Sequence, residues 1–179
     1  MRMNTPRSTS YRDDWQTPPE LFQWCSNRYG PFDVDLCASD TNHLLPNYFT
    51  KERSALVQPS EWPDRIFVNP PYGDLGSWVT HFRACGHRKI CAVLPASTSS
   101  SWFEHVWAAH EVIFLIGRVA FVDPTTNKPS AGNNTGTCIA FWENTDDPYR
   151  YIGYRHIGHR HWLRDIRDPI RALQNTAPL

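Results

Sequence analysis

The residues best suited to chemistry are Asn69-Pro70-Pro71-Tyr72, which follow the apolar run Arg65-Ile66-Phe67-Val68. A short β-branched run that stops at two prolines predicts a buried strand followed by a stiff loop. The loop would hold Asn69 and Tyr72 at the carboxyl end of the strand, which is the edge where open α/β sheets bind ligands. The Asn69 amide oxygen, the Pro70 carbonyl and the Tyr72 ring together suit a planar group that carries an NH2.

A second chemical candidate lies upstream, in the segment Phe32-Asp33-Val34-Asp35-Leu36-Cys37-Ala38-Ser39. Alternating Phe, Val and Leu predict a strand, with Asp35 at or near its end. A carboxylate there could make charge-assisted hydrogen bonds to an ammonium or to hydroxyl groups. Alternatively, Asp33 and Asp35 cap the turn that follows.

The element before that strand is a predicted helix over residues 18–27. Thr17 can act as its cap, Pro18 suits its first position, and Glu20 stands where a capping-box acid belongs. Downstream, Ser77 can begin a helix that places Trp78 and Phe82 on one face. Apolar runs predict strands at 89–94, 112–116 and 137–142, and a helix is predicted at 102–110.

Together these motifs resemble the S-adenosylmethionine-dependent amino methyltransferases, whose catalytic loop reads Asn-Pro-Pro-Tyr in the adenine N6 enzymes. The run Asp35-Leu36-Cys37-Ala38 matches the Asp-x-Cys-Ala pattern of the phage-type DNA N6-adenine methyltransferases. That resemblance, which covers about residues 13–143, implies an α/β, Rossmann-like methyltransferase fold with a mixed, mostly parallel sheet flanked by helices. It departs from the wider superfamily in lacking a glycine-rich turn, which the small pair Cys37-Ala38 would replace.

The resemblance also implies roles for individual residues. Asn69, Pro70 and Tyr72 would be catalytic, with Tyr72 stacking on the target base. The residues implied to bind S-adenosylmethionine are Trp15, Thr17, Pro18, Asp35, Cys37, Ala38 and Asn69. In the Gly-Arg-x-x-Phe run, Arg118 would contact a phosphate or pair with a structural acid. Phe121 would pack beside the base or in the core.

Three features are left open by the sequence. Asp40 and Glu52 both qualify as the acid that binds the cofactor ribose. Residues 123–136 form a long polar loop that we expect to approach DNA. Residues 144–179 form a basic extension, rich in arginine and histidine between 150 and 171. It either follows a phosphate backbone, is a solvated tail, or forms a last helix that covers the sheet.

Composition limits the class of protein. The 179 residues suffice for one domain, and a formal net charge of zero excludes a uniformly basic chain. Five scattered cysteines without a Cys-x-x-Cys predict free thiols in a reducing cytoplasm. The resemblance to the phage-type enzymes implies that this is the cytoplasm of a bacterial host and that the protein is encoded by a phage or prophage. His81, Cys85, His87 and Cys91 have ligand-like spacing but span a helix, a turn and a strand, so we predict no metal. No membrane segment is predicted, and the oligomeric state is undetermined.

The sequence therefore predicts methyl transfer from S-adenosylmethionine to adenine N6 in double-stranded DNA, with the adenine flipped out of the duplex or supplied single-stranded. An RNA adenine or protein glutamine methyltransferase would share the Asn-Pro-Pro-Tyr loop. A cytosine N4 enzyme usually carries Ser in place of Asn69. A catalytically silent DNA-binding module is the alternative from a different class.

Overall fold

The computed structural model describes residues 15–85, 88–124, 126–130, 133–143 and 151–156. Its helices are α1 (Pro19–Tyr29), α2 (Leu75–Ala84) and α3 (Phe103–Val106). Its strands are β1 (Val34–Asp35), β2 (Arg65–Val68), β3 (Lys89–Pro95), β4 (Glu111–Ile116), β5 (Val122–Asp123), β6 (Lys128–Pro129), β7 (Thr137–Trp142) and β8 (Tyr151–His156).

Six strands form one mixed sheet in the order β1-β2-β3-β7-β4-β8, and β5 pairs with β6 in a separate hairpin. Strands β1, β2 and β3 are parallel, with Ile66 opposite Ile90 and Phe67 opposite Cys91. Strand β7 is antiparallel to both of its neighbours, β3 and β4. Strand β8 pairs in parallel with β4, so residues 151–156 belong to the same sheet.

Helices cover both faces of the sheet, which explains why its central strands are almost continuously apolar. One face, including Phe67, Cys91 and Ile139, packs against Leu21 and Trp24 of α1. The residues alternating with these on the opposite face pack against α2 and α3. That second cluster includes Ile66, Ile90, Ala140, Trp78, Phe82 and Phe103.

The sheet ends at β1, which is only two residues long. On the outer side of β1, the Asp35 amide donates to the Asn47 carbonyl over 3.0 Å, and the Phe49 amide donates to the Asp35 carbonyl over 2.9 Å. The chain between β1 and β2 is otherwise built from turns and two short 3-10 helices, Ala55–Val57 and Pro59–Glu61. The segment between β1 and β2 therefore covers the outer edge of β1, in the position that additional strands would occupy in a larger sheet.

A buried polar cluster joins α1 to β4 on the far side of the sheet from this segment. Glu111 is buried, and it accepts hydrogen bonds from Arg28 in the last turn of α1 and from the Tyr29 hydroxyl. Hydrogen bonding to Glu111 raises the pKa of Arg28, and burial raises the pKa of Tyr29. The cluster fixes the end of α1 against the start of β4.

The predicted α/β class and the mixed sheet are confirmed, as are the strands at β2, β3, β4 and β7. The predicted capping of α1 is wrong: Pro18 is the N-cap residue, no side chain caps the helix, and Thr17 is buried instead. Helix α2 begins at Leu75, two residues before Ser77, because a 3-10 turn at Tyr72–Asp74 runs directly into it. Helix α3 spans only Phe103–Val106.

Strand β5, which begins one residue before the predicted 123–136 loop, and β6 within that loop form a small hairpin. Strand β8 was not predicted. Apart from β8, the predicted basic extension lies outside the described residues. Among the described residues, no helix combines the length and apolar character needed to cross a bilayer.

Candidate active site

A cavity of about 570 Å³ opens where β1 and β2 end. Its floor includes Leu36, Cys37 and Ala38 after β1, and Asn69 and Pro71 after β2. Two further lining residues are Trp15, which precedes α1, and Pro124, which follows β5. The others come from the segment between β1 and β2, from the turn into α2 and from the start of that helix: Ser39, Asn42, Thr50, Lys51, Ser54, Ala55, Leu56, Gly73, Asp74 and Trp78. The predicted location at the carboxyl edge of the sheet agrees with this geometry.

Asn69 lines the cavity with an oxygen acceptor that is unpaired within the described part of the chain. Its side-chain nitrogen donates to the main-chain carbonyl of Trp15 over 3.5 Å. Its Oδ1 is buried and accepts no hydrogen bond from any described residue. Because an unpaired buried acceptor costs about 1–3 kcal/mol, its presence indicates a ligand donor at this position.

Three aromatic residues form a chain of ring contacts that starts at Trp15, the residue to which this amide donates. The Trp15 and Phe121 rings stack with centroids 6.3 Å apart, and the Tyr72 ring meets Phe121 edge-on at 6.4 Å. A bridge between Gln16 and Val122 brings the two segments together. Trp15 lines the cavity, whereas Phe121 is fully buried behind it and the Tyr72 hydroxyl is buried without a partner among the described residues. Burial raises the pKa of Tyr72, so this phenol stays protonated.

Asp35 lies beneath the cavity floor and is not among the lining residues. Its buried carboxylate accepts 3.3 Å hydrogen bonds from the main-chain amides of Cys37 and Leu44. Burial raises the pKa of Asp35 to about 6, against the effect of those two donors. In the structure this carboxylate holds the chain that carries Cys37 and Ala38, both of which line the cavity. Thr17 and Pro18 are buried at the start of α1 behind Trp15.

Arg118 is exposed on the same edge of the sheet, next to Gly117, whose φ of 107° favours glycine. A Cβ added at Gly136 would lie 3.5 Å from Nη1 of Arg118, so this side chain lies over the turn that leads into β7. Pro70 is buried, and Pro71 is the proline that lines the cavity.

The polar wall of the cavity differs from the sequence-based expectation. Asp40 accepts a 2.9 Å hydrogen bond from the Tyr48 hydroxyl, and neither Asp40 nor Glu52 lines the cavity. The wall instead offers the side chains of Ser39, Asn42, Thr50, Lys51 and Ser54. Asp74 is the only acid among the described lining residues. Its place directly after Asn-Pro-Pro-Tyr-Gly was the signal that could have identified it.

Comparison with known proteins bears on the identity of this cavity. The model of the DNA N-6-adenine-methyltransferase (Dam) family matches residues 3–165 of the chain. The chain belongs to this family. The Dam-family match extends from the residues before Trp15 through the Asn-Pro-Pro-Tyr loop to beyond β8, so it includes every described residue that lines the cavity.

Two phage relatives support the assignment to the Dam family. A DNA N-6-adenine-methyltransferase of Escherichia phage T1 is 30% identical over 154 residues, which cover 76% of this chain and 64% of that protein. A protein of the same name from Haemophilus phage HP1 is 27% identical over 149 residues, which cover 79% of this chain and 84% of that protein. The chain thus spans slightly under two thirds of the T1 protein and most of the HP1 protein.

Proposed function

We infer that this chain is a DNA methyltransferase that transfers a methyl group from S-adenosylmethionine to N6 of adenine in DNA. The single observation that carries this proposal is the unpaired Asn69 Oδ1 at the wall of a ligand-sized cavity. Family membership and the two phage relatives, both named DNA N-6-adenine-methyltransferase, support the choice of DNA adenine as the acceptor.

The residues present fit S-adenosylmethionine, a ligand with an apolar nucleobase, a polar ribose and a charged amino-acid end. A volume of about 570 Å³ is within the range of small-molecule sites, and the lining alternates apolar and polar groups. Trp15, Leu36, Cys37 and Ala38 would hold it near the ends of β1 and β2, beside Asn69. When bound, the cofactor supplies a methyl group already activated by the adjacent sulfonium, so alignment carries most of the rate.

Asn69 and Pro70 act on the acceptor nitrogen. The adenine N6 lone pair is delocalised into the ring, which makes the amine a weak nucleophile. Asn69 Oδ1 and the Pro70 carbonyl each accept one N6 hydrogen, and the nitrogen is thereby drawn towards tetrahedral geometry. These contacts strengthen as positive charge develops on N6, so they stabilise the transition state more than the ground state. The hydrogen bond to the Trp15 carbonyl keeps the Asn69 oxygen directed at the base.

Aromatic packing positions the base beside Asn69. Tyr72 presents a half-buried ring whose buried hydroxyl and edge contact with Phe121 limit its rotation. Tyr72 stacks on the adenine, and Phe121 supports Tyr72 and Trp15 from behind. Because N6 lies inside a duplex, the adenine is flipped into this site or presented single-stranded. Arg118 is exposed on the same edge and contacts a backbone phosphate.

The deciding experiment is transfer of a tritiated methyl group to defined DNA duplexes, followed by digestion of the product to nucleosides. We expect N6-methyladenine in DNA, and no transfer to duplexes in which 2-aminopurine or purine replaces every adenine. Parallel assays with RNA and with protein acceptors test the two other substrate classes that share the loop. Label recovered as N4-methylcytosine, or only in RNA or protein, would overturn the proposal.

A further inference from the structure

The cavity has one wall that the reaction at Asn69 does not use. This wall, called here the α2 slot, is formed by Ala55 and Leu56 of the first 3-10 helix and by Asp74 and Trp78 at the start of α2. Leu56 and Trp78 both line the cavity, and their side chains make the α2 slot apolar on two sides. Leu56 is half-buried and Trp78 is 4% exposed. Asp74 gives it a single charged group.

Trp62 makes the α2 slot rigid. Its indole N–H donates to the Ala55 carbonyl over 2.9 Å, which anchors the 3-10 helix. The same indole stacks on Trp78 with ring centroids 6.5 Å apart and an interplanar angle of 17°. One buried side chain thus joins both walls, and their separation is set before any ligand binds.

The carboxylate of Asp74 is bonded by a side chain of α2 and not by a main-chain amide of that helix. Asp74 is the N-cap residue of α2, where a carboxylate usually accepts a hydrogen bond from a main-chain amide of the first turn, yet it makes no such bond. Its Oδ1 instead accepts the Ser77 hydroxyl over 2.8 Å. Oδ2 makes no hydrogen bond to a described residue, so an exposed acceptor stands at the edge of the apolar slot.

We propose that the α2 slot binds the adenine ring of S-adenosylmethionine and that Asp74 accepts a hydrogen bond from the ring's exocyclic amine. This proposal rests on the proposed function, since it assigns part of the same cavity. An apolar slot with one acceptor at its rim is complementary to a nucleobase that presents an NH2, and a carboxylate has no hydrogen to offer a keto oxygen. Asp74 is thereby a specificity-determining residue for the cofactor base.

Other cofactor donors fit this position less well. Asp74 could pair with the ammonium of the amino-acid end, but the carboxylate on the same carbon would then lie beside a like charge. The other residues of the slot, Ala55, Leu56 and Trp78, offer that carboxylate neither solvation nor an opposite charge. The ribose hydroxyls both donate and accept, and the wall that carries Ser39, Asn42 and Thr50 offers groups of both kinds. The most apolar part of the cofactor thus matches the most apolar wall.

The test uses calorimetry to compare the affinities of the full chain for S-adenosylhomocysteine and S-inosylhomocysteine. The base carries an exocyclic amine in the first compound and a keto oxygen at the same position in the second. In the wild-type chain we expect the inosyl compound to bind about 30-fold more weakly, as for a lost hydrogen bond to a charged group. In Asp74→Asn the side-chain amide can donate to the keto oxygen. The ratio should then fall to about threefold or less.

Matched controls are provided by acids outside the cavity and by the partner of Asp74. Asp40→Asn and Glu52→Gln should keep the wild-type ratio, because neither residue lines the cavity. Ser77→Ala retains the carboxylate but removes its orienting donor, so the ratio should lie between those of the wild type and Asp74→Asn. Because Asp74 and Ser77 are exposed, all variants should keep the wild-type circular dichroism spectrum.

An unchanged ratio in Asp74→Asn would overturn the assignment. So would a variant that loses discrimination against the 2′-deoxyribosyl analogue instead, because that result would place Asp74 at the ribose. If the wild-type chain methylates DNA while either result is found, only the assignment of the α2 slot fails. A wild-type chain that binds neither homocysteine compound would overturn the proposed function as well.

Discussion

The side-chain amide of Asn69 donates a hydrogen bond to the main-chain carbonyl of Trp15, which lies 54 positions earlier in the chain. This contact leaves Asn69 Oδ1 as the free acceptor, and it uses only the backbone of Trp15. The orientation of Asn69 and the shape of the cavity wall at Trp15 can therefore be changed separately.

Asn69→Ala should lower kcat for methyl transfer at least about 100-fold, because an acceptor that strengthens in the transition state is lost. Cofactor affinity should stay within about threefold of the wild type, since no charge or stacking surface is removed. Single-turnover methylation and calorimetry with S-adenosylhomocysteine give the two numbers. As a control, Trp15→Ala keeps the carbonyl but removes a wall, so it should weaken cofactor binding. Loss of cofactor affinity in Asn69→Ala would mean that the assigned role is wrong.

Asp35→Asn should flatten the dependence of stability on pH. The pKa of Asp35 is about 6 in the folded chain, above the value of about 3.9 for an unfolded aspartate. Because the folded state binds this proton more tightly than the unfolded state, Asp35 stabilises the fold most below pH 4. The stabilisation is lost as the pH rises through 6. The linkage relation gives a loss of about 1.4 kcal/mol between pH 5 and pH 7.5.

Urea unfolding at those two pH values, for the wild type and Asp35→Asn, measures the difference in slope. Asp64→Asn, at an exposed position, should keep the wild-type slope. Equal slopes for the wild type and Asp35→Asn would show that Asp35 is ionised normally in the fold.

Glu111→Ala should destabilise the chain by about 3 kcal/mol. The substitution removes a buried acceptor shared by the buried Tyr29 hydroxyl and by Arg28, whose side chain is 41% exposed. Loss of a buried acceptor costs more than loss of an exposed one, because the buried donor is left without a partner. The contrasting variant is Lys89→Ala, which removes the more exposed ion pair to Glu143 and should cost under about 1 kcal/mol. Both values come from chemical denaturation at neutral pH. Similar costs for the two variants would contradict the proposed clamp between α1 and β4.

Gly117→Ala should destabilise by at least about 1 kcal/mol, because φ at this exposed position is 107° and side chains disfavour that region. Gly76→Ala provides the matched comparison. Gly76 lies in α2 with no atom within 4 Å of an added Cβ, so alanine there should stabilise by about 0.5–1 kcal/mol. Thermal unfolding of both variants would show shifts of opposite sign. A neutral Gly117→Ala would mean that the turn before Arg118 can relax.

The parts of the fold that the sequence predicted are those with a strong local signal. Buried parallel strands appear as continuous apolar runs, and this located β2 and β3 directly. The proline pair after Val68 then placed Asn69 at the ligand edge. Each of these inferences needed only a short window of residues.

The parts that could not be predicted depend on contacts between distant segments. The wall formed by residues 39–56 has no period, because its side chains line a cavity from turns instead of a helix or strand. Asp74 was not predicted to line the site, because its position depends on α2 beginning directly after it. Threonine is a residue type that often caps helices, but Thr17 is buried and makes no capping hydrogen bond. Burial outweighed its intrinsic preference for the N-cap position.

The two-residue strand β1 has a consequence for how copies of this chain can meet. Both outward-facing main-chain groups of Asp35 are already bonded, to Asn47 and to Phe49. An edge strand whose main-chain groups are unpaired can pair with a strand of another molecule and start aggregation. Here the chain closes its own border, so β1 offers no template on which a second molecule could add a strand.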